Sequence, residues 1–355
     1  MADTDTPDDA VPGWDAIDAA LRPIYVDREP LHYGTIIKRV MGGPDPLDGI
    51  SIYQNLEPTP HWHYVSYGLT ELYAKESDEK DVSGFGYEFT FRLKCDADDA
   101  EPPKWAISLM QNVARATTDH GSIFGPFHTL DANGPIAREH ATALTAILFV
   151  LDPQLGSVES SPHGRFDFLQ LVGITADELA AKNEWDSEKV VGLLARDNPL
   201  LITDLARRSL RDDPAIAKLI DESIERDGSS CEELYVDELG WKKGMLASKW
   251  TLTLGAGATE SIARLIRGRT AHGRPFALHG PGRSVVILPD DQSSVEADDD
   301  GILVIRLAPK TAVELMLKLQ PKRGPLKIDG LAKLAIMIQP THIRDENNKI
   351  VRTIG

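Results

Sequence analysis

The sequence predicts an α+β protein of two mixed domains, each with a central, largely antiparallel or mixed sheet flanked by helices. Three observations point there. The chain has 355 residues, and at about 100–200 residues per domain two domains are the natural number. Its hydrophobic fraction of 42% and charged fraction of 26% are those of a folding chain. Strand-like alternation and helical periodicity follow one another along it without any internal repeat.

The elements follow in order. Met1–Pro12 is acidic and proline-bearing, and reads as a disordered lead-in. Gly13–Ile24 fits a helix, with Trp14, Ile17, Ala20 and Leu21 on one face. Leu31–Val40, Ile50–Asn55, His61–Gly68 and Gly86–Lys94 fit strands. The last alternates Tyr87, Phe89, Phe91 and Leu93 with polar residues, the pattern of a half-buried strand. Lys104–His120 is an amphipathic helix bounded by Pro102-Pro103 and Gly121. Ala146–Leu151 and Phe166–Ile174 fit strands; Thr175–Lys182, Ser187–Arg196 and Pro214–Arg226 fit helices. Asp227-Gly-Ser-Ser230 then marks a boundary, giving domains 13–232 and 233–355. Beyond it, strands are expected at Lys249–Leu254, Pro275–His279, Ser284–Leu288, Gly301–Leu307 and Leu334–Pro340. Helices are expected at Ala258–Arg267 and Thr311–Leu319, and a mobile acidic loop at Asp290–Asp300.

The net charge of −17 disfavours binding to nucleic acid, whose phosphates call for a basic surface. Met1–Gly240 holds 20 Lys and Arg against 44 Asp and Glu, a net of −24; Trp241–Gly355 holds 18 against 11, a net of +7. Cys95 and Cys231 are too few and too far apart for a disulfide framework. An acidic start and no apolar run near 20 residues make a cytoplasmic protein the expectation, without a membrane partner.

Motifs that might carry chemistry are weak. Gly255-Ala-Gly257 lacks a third glycine and places Glu260 where a pyrophosphate would sit, so it reads as a tight turn. Gly268–Arg274 has phosphate-loop spacing but Arg274 and Pro275 in place of Lys and Ser/Thr. Asp119, His120 and Ser122 are a hydrolase trio by type only, and Asp298–Gly301 lacks the spaced ligands of a calcium loop. His61 and His63, two apart in a strand, share a face and form the one candidate metal pair; hydrogen-bonded structural histidines are the blander reading. No cofactor is expected.

Several longer stretches carry a resemblance: PGWDAIDAAL (Pro12–Leu21), GGPDPL (Gly42–Leu47), HWHYVSYGLTELY (His61–Tyr73) and SGFGYEFTFRLK (Ser83–Lys94). LMQNVAR (Leu109–Arg115), FDFLQLVGIT (Phe166–Thr175) and LLITDLARR (Leu200–Arg208) extend it. Through these the chain closely resembles the Suppressor of fused family, with thinner agreement in the C-terminal part.

The resemblance implies a two-domain protein that binds another protein and is not an enzyme. In animal members it implies sequestration of zinc-finger transcription factors of the Gli type, a short peptide being held as an added strand in a cleft between the domains. By the same resemblance the partner-facing candidates here are Asp152, Ala116, Leu151 and Gln154. Ala116 stands where the family has a tyrosine, and Leu151-Asp152-Pro153-Gln154 where it has Glu-Asp-Pro-Gln. These departures imply a different partner. The leading expectation is a negative regulator in a bacterial cytoplasm, an immunity protein that silences a basic toxin. The alternatives are a metal-dependent hydrolase built on His61 and His63, and a regulatory scaffold unrelated to toxins.

Overall fold

The structure, a computed structural model, describes residues 11–244, 249–298, 301–344 and 349–355. The expected lead-in therefore lies outside the described residues up to residue 10, as do Asp299 and Asp300 of the acidic run. Two compact units divide the chain, and the expected α+β class holds in both. One takes the residues up to Ala176 with Gly192–Ser209; the other takes Asp177–Val191 with Leu210–Gly355.

The first unit opens with helix α1 (Pro12–Leu21), which starts on a proline pre-set for the first turn. Gly13 lets it sit against the backbone of 71–72: a Cβ there would lie 2.1 Å from the Glu71 carbonyl oxygen. Strands β1 (Leu31–Gly34), β2 (Gly49–Asn55), β3 (His61–Tyr67) and β4 (Val82–Lys94) follow, then α2 (Lys104–His120). β5 (Thr129–Asp131), β6 (Leu144–Leu151), β7 (Ser157–Val158) and β8 (Arg165–Thr175) complete one eight-stranded sheet. Its order is β1-β2-β3-β4-β8-β6-β5, with β7 beside β8; β4 and β8 run parallel and the other pairs antiparallel.

The pleat sorts the side chains of this sheet. Phe89, Phe91, Phe149 and Leu171 pack under α2 with Met110 and Val113. On the other face Tyr53, Val65, Tyr67 and Phe168 meet Ile17 and Leu21 of α1. Each fully buried aliphatic side chain of this kind contributes about 1.5–3 kcal/mol. The expectation of a half-buried β4 is corrected: Glu88, Thr90 and Arg92 are as buried as the aromatics between them. The strand expected over Leu31–Val40 stops at Gly34. A one-turn 3-10 helix at Arg39–Met41 then leads into Gly42 at φ 86°, and a Cβ on Gly43 would lie 1.8 Å from the Ile37 oxygen.

The second unit begins upstream of the expected 232/233 boundary. Helix α3 (Ala176–Glu184) is tied to α5 (Pro214–Asp227), and to the turn that ends α5, by hydrogen bonds of the adjoining Trp185. The Trp185 indole donates to Asp227 (3.1 Å), and the Ser230 N–H to the Trp185 carbonyl (2.6 Å). Between them α4 (Ser187–Ala195) crosses from one unit to the other. Beyond α5 come β9 (Glu233–Tyr235), β10 (Leu239–Lys243), β11 (Trp250–Gly255), α6 (Thr259–Gly268), β12 (Phe276–Gly280), β13 (Arg283–Pro289), β14 (Ser294–Ala297) and β15 (Leu303–Leu307). α7 (Pro309–Lys318), β16 (Gly324–Leu326), β17 (Leu334–Gln339), β18 (Thr341–Arg344) and β19 (Ile350–Ile354) end the chain.

They form a four-stranded sheet β10-β11-β17-β16, a five-stranded sheet β14-β15-β13-β12-β9 and the hairpin β18-β19. Leu252, Leu278, Ile305 and Ile336 of the two larger sheets share one core with Leu265 of α6 and Leu315 of α7. The acidic run expected as a mobile loop instead holds β14, because Val295 seats on this core and its strand pairs with β15.

Candidate functional site

Two features of the fold bear on function: a closed polar network inside the first unit, and the strands that end a sheet in each unit.

The network grows from alternation in β3 and β4. Residues two apart share a face, so His63 of β3 and Thr90 and Arg92 of β4 project to the α1 side, where β8 adds Gln170. The turn after β6 brings in Asp152. Arg92 donates to both Asp152 oxygens, Nη1 to Oδ2 at 2.5 Å and Nη2 to Oδ1 at 3.1 Å. It also donates to Gln170 and, at 2.9 Å, to Gln154. Thr90 Oγ1 donates to Asp152 Oδ2 at 2.7 Å, and the backbone N–H groups of Gln154 and Leu155 reach Oδ1, each at 2.9 Å. The carboxylate thereby fixes β4 and its own turn together.

Tyr25 accepts from the Asn55 amide at 2.9 Å and so donates its hydroxyl proton to His63 Nδ1, 2.6 Å away. That places the ring proton of neutral His63 on Nε2, which faces Asp152 Oδ2 at 3.6 Å. Burial, reinforced by the Arg92 charge and opposed by Asp152, lowers the His63 imidazole to about 4. Burial alone would raise the Asp152 carboxyl, but the nearby His63 imidazole, the Arg92 charge and the Arg92 hydrogen bonds hold it well below the usual carboxylate range. A carboxylate buried with a bidentate guanidinium is a structural anchor.

The candidates named by the sequence fall into this frame unequally. Asp152 is buried at the centre of the network, with Gln154 at its exposed margin. Leu151, at the end of β6, is 42% exposed. Ala116 is half-buried on α2, across the sheet from Asp152, since Thr90 and Arg92 alternate with the phenylalanines that α2 covers. The four do not make one patch. His61 and His63 do share a face, and both are fully buried. His61 Nδ1 is taken up by the Thr59 carbonyl at 2.7 Å, and the Arg92 guanidinium already supplies the cation beside His63 and Asp152. Among the described residues no group of three His, Cys, Asp or Glu side chains is placed to hold a metal ion.

Other motifs are absorbed by the fold. Asp119 pairs with Arg39 at 2.7 Å, and Arg269 turns inward to the Ser229 and Pro275 carbonyls. Arg92, Gln170 and Tyr25 were not singled out from the sequence. The available signal was a charged residue at an alternating position of a strand whose neighbours are large aromatics.

The strand edges are the second feature. β5 ends the large sheet of the first unit, and β9 ends the five-stranded sheet of the second. β9 runs parallel to β12. The Ala277 N–H donates to the Glu232 carbonyl and the Val236 N–H to the His279 carbonyl, both at 2.8 Å. Alternation then directs the backbone groups of Leu234 to β12 and those of Tyr235 away from the sheet. The Tyr235 side chain is 71% exposed and lies over the His279 ring, centroids 5.1 Å apart. Its hydroxyl donates to Glu233 at 3.2 Å. At this edge the Glu233 carbonyl accepts from the Cys231 thiol at 3.2 Å, while among the described residues the outward backbone groups of Tyr235 are unpaired, with an aromatic and a carboxylate beside them.

Comparison with known proteins agrees with this architecture. Residues 43–208 match the family described as Suppressor of fused protein (SUFU). The Suppressor of fused homologs of Homo sapiens and Mus musculus are each 35% identical over 235 residues, covering 61% of this chain and 48% of theirs. The match therefore spans about half the length of these relatives. The crystal structure of Drosophila Suppressor of Fused superposes with a TM-score of 0.72 at 21% identity, over 93% of this chain and 97% of that one. A chain of the Sufu-Fu complex crystal structure gives a TM-score of 0.56 at 28% identity, over 59% and 97%.

Proposed function

The chain belongs to the Suppressor of fused family through its residues 43–208, and from that premise we propose that it works by binding and sequestering a partner protein. The observation that carries this reading is the outer edge of β9. Its backbone donors and acceptors at Tyr235 are turned away from the sheet, ready to pair with an extended segment of a partner. The Sufu-Fu complex, in which a similar chain is held with another protein, supports the same reading. Binding is favoured over catalysis because the cluster richest in titratable groups, His61, His63, Arg92 and Asp152, is closed to solvent.

Within this reading the partner is a basic protein, and the class that best fits is a toxin silenced by a cognate immunity protein. The net charge of −24 over Met1–Gly240 supports it by electrostatic steering. The test is capture of partners by the tagged chain from its own host, run beside Tyr235→Pro. Proline removes the outward N–H while leaving the β9–β12 bonds in place. A stoichiometric basic partner bound by the wild type, kept by Tyr235→Ala and lost by Tyr235→Pro, is expected. Equal capture by all three chains would refute the edge as the binding element, and a partner that is not basic would remove the toxin reading.

A further inference from the structure

The topology of the second unit gathers five lysines that the sequence scatters between Lys242 and Lys333. β10 and β16 run antiparallel to their neighbours, while β11 and β17 run parallel to each other. The end of β10 (Lys242 and Lys243), the residue before β11 (Lys249), the residue after β16 (Lys327) and the residue before β17 (Lys333) therefore lie along one end of the four-stranded sheet. All five are exposed. Among the described residues none has a carboxylate partner; Lys243 instead lies over the Trp250 ring, 5.2 Å from its centroid. The nearby Glu314 is taken up by Lys318.

The sheet beside them is open on one side. β17 alternates buried Leu334, Ile336 and Ile338 with exposed Ala335, Met337 and Gln339. Register places Thr251 and Thr253 of β11 and Pro325 of β16 next to the exposed set. A solvated sheet face ordinarily mixes charges of both signs. Among the described residues the carboxylate on this face, Glu238, is held by the Thr341 hydroxyl at 2.6 Å at the end away from the lysines, and the lysine end carries five cations without an ion pair, with Asp329 in the β16–β17 connection.

We propose that this lysine-lined end, with the open sheet face beside it, is a second docking surface, for a short acidic segment of another protein. It goes beyond the strand-edge reading and does not depend on it. A long polyanion is disfavoured because it would run past the lysines and come within a Debye length, about 8–10 Å, of the surface of a chain whose net charge is −17. A short acidic segment senses only the local field. The face also lacks aromatic rings on which bases stack.

The test uses the full-length chain and a fluorescent ten-residue peptide of alternating Glu and Thr, read by anisotropy at low salt. Lys249→Gln/Lys327→Gln/Lys333→Gln is expected to weaken binding about tenfold or more and to flatten its salt dependence. Lys310→Gln/Lys322→Gln/Arg323→Gln removes the same charge outside that end and is expected to change binding less than about twofold. Tyr235→Pro is expected to leave it unchanged, which separates this surface from the β9 edge. No binding by the wild type, equal weakening in the two triple variants, or tighter binding of a ten-nucleotide oligothymidine than of the peptide would each overturn the proposal.

Discussion

Asp152 shows how one residue can join several elements of a fold while buried from solvent. It satisfies Arg92, Thr90 and its own turn at once, so Asp152→Ala leaves a guanidinium buried without its counter-charge. The expected cost is about 3–5 kcal/mol, to be read from the urea midpoint at neutral pH. His63 sets the acid response. Its folded value near 4 lies below the unfolded value of about 6.5, so between the two the unfolded chain takes up a proton that the folded chain refuses. This stabilisation is fully present above about pH 6.5 and drains as pH falls towards 4, by up to about 3 kcal/mol. Unfolding free energy measured across that window is expected to fall with pH in the wild type and to fall less steeply in His63→Gln. Equal slopes would contradict the assignment of a buried, neutral His63. The candidate role of Asp152 was legible as a position and not as an environment, because its partner Arg92 lies 60 residues away.

At the scale of elements, periodicity placed most strands and helices well. The Lys104–His120 helix has the expected limits, and the expected Pro214–Arg226 helix ends one residue later. The shortfalls have physical causes. β4 looked half-buried because polar residues alternate with aromatic ones, and alternation does not say whether a second layer covers the polar side. β5, β9, β14 and β16 are only three or four residues long, too short for a period of two to stand out. Local chemistry can still be tested in a well-formed element. The Asp213 carboxylate caps α5 by accepting from the Ala215 N–H at 2.8 Å and the Ile216 N–H at 3.4 Å. Asp213→Ala is expected to lose about 1 kcal/mol, visible as a lower thermal midpoint; an unchanged midpoint would mean the cap is redundant.

Across the whole molecule, the contrast between −24 and +7 was readable from composition, whereas the surfaces it builds required the topology. The +7 segment contains both the lysine-lined sheet end and the buried Arg269, and only the fold separates these roles. Partner capture through the acidic segment is expected to weaken as salt rises from low to a few tenths molar, since exposed charges farther apart than a Debye length of about 8 Å are screened. Affinity indifferent to salt would leave shape and backbone pairing as the sole basis of recognition. The family match over residues 43–208 fixes the scaffold, and its sites must be argued from their own geometry.

Strand addition depends above all on the backbone of β9, and amide hydrogen exchange reads that backbone directly. In the free chain the Leu234 amide, bonded towards β12, is expected to exchange slowly and the Tyr235 amide rapidly. Once the captured partner is bound, Tyr235 is expected to become protected while Leu234 is unchanged. Rapid exchange at Tyr235 in the complex, with protection appearing elsewhere, would contradict strand addition at this edge.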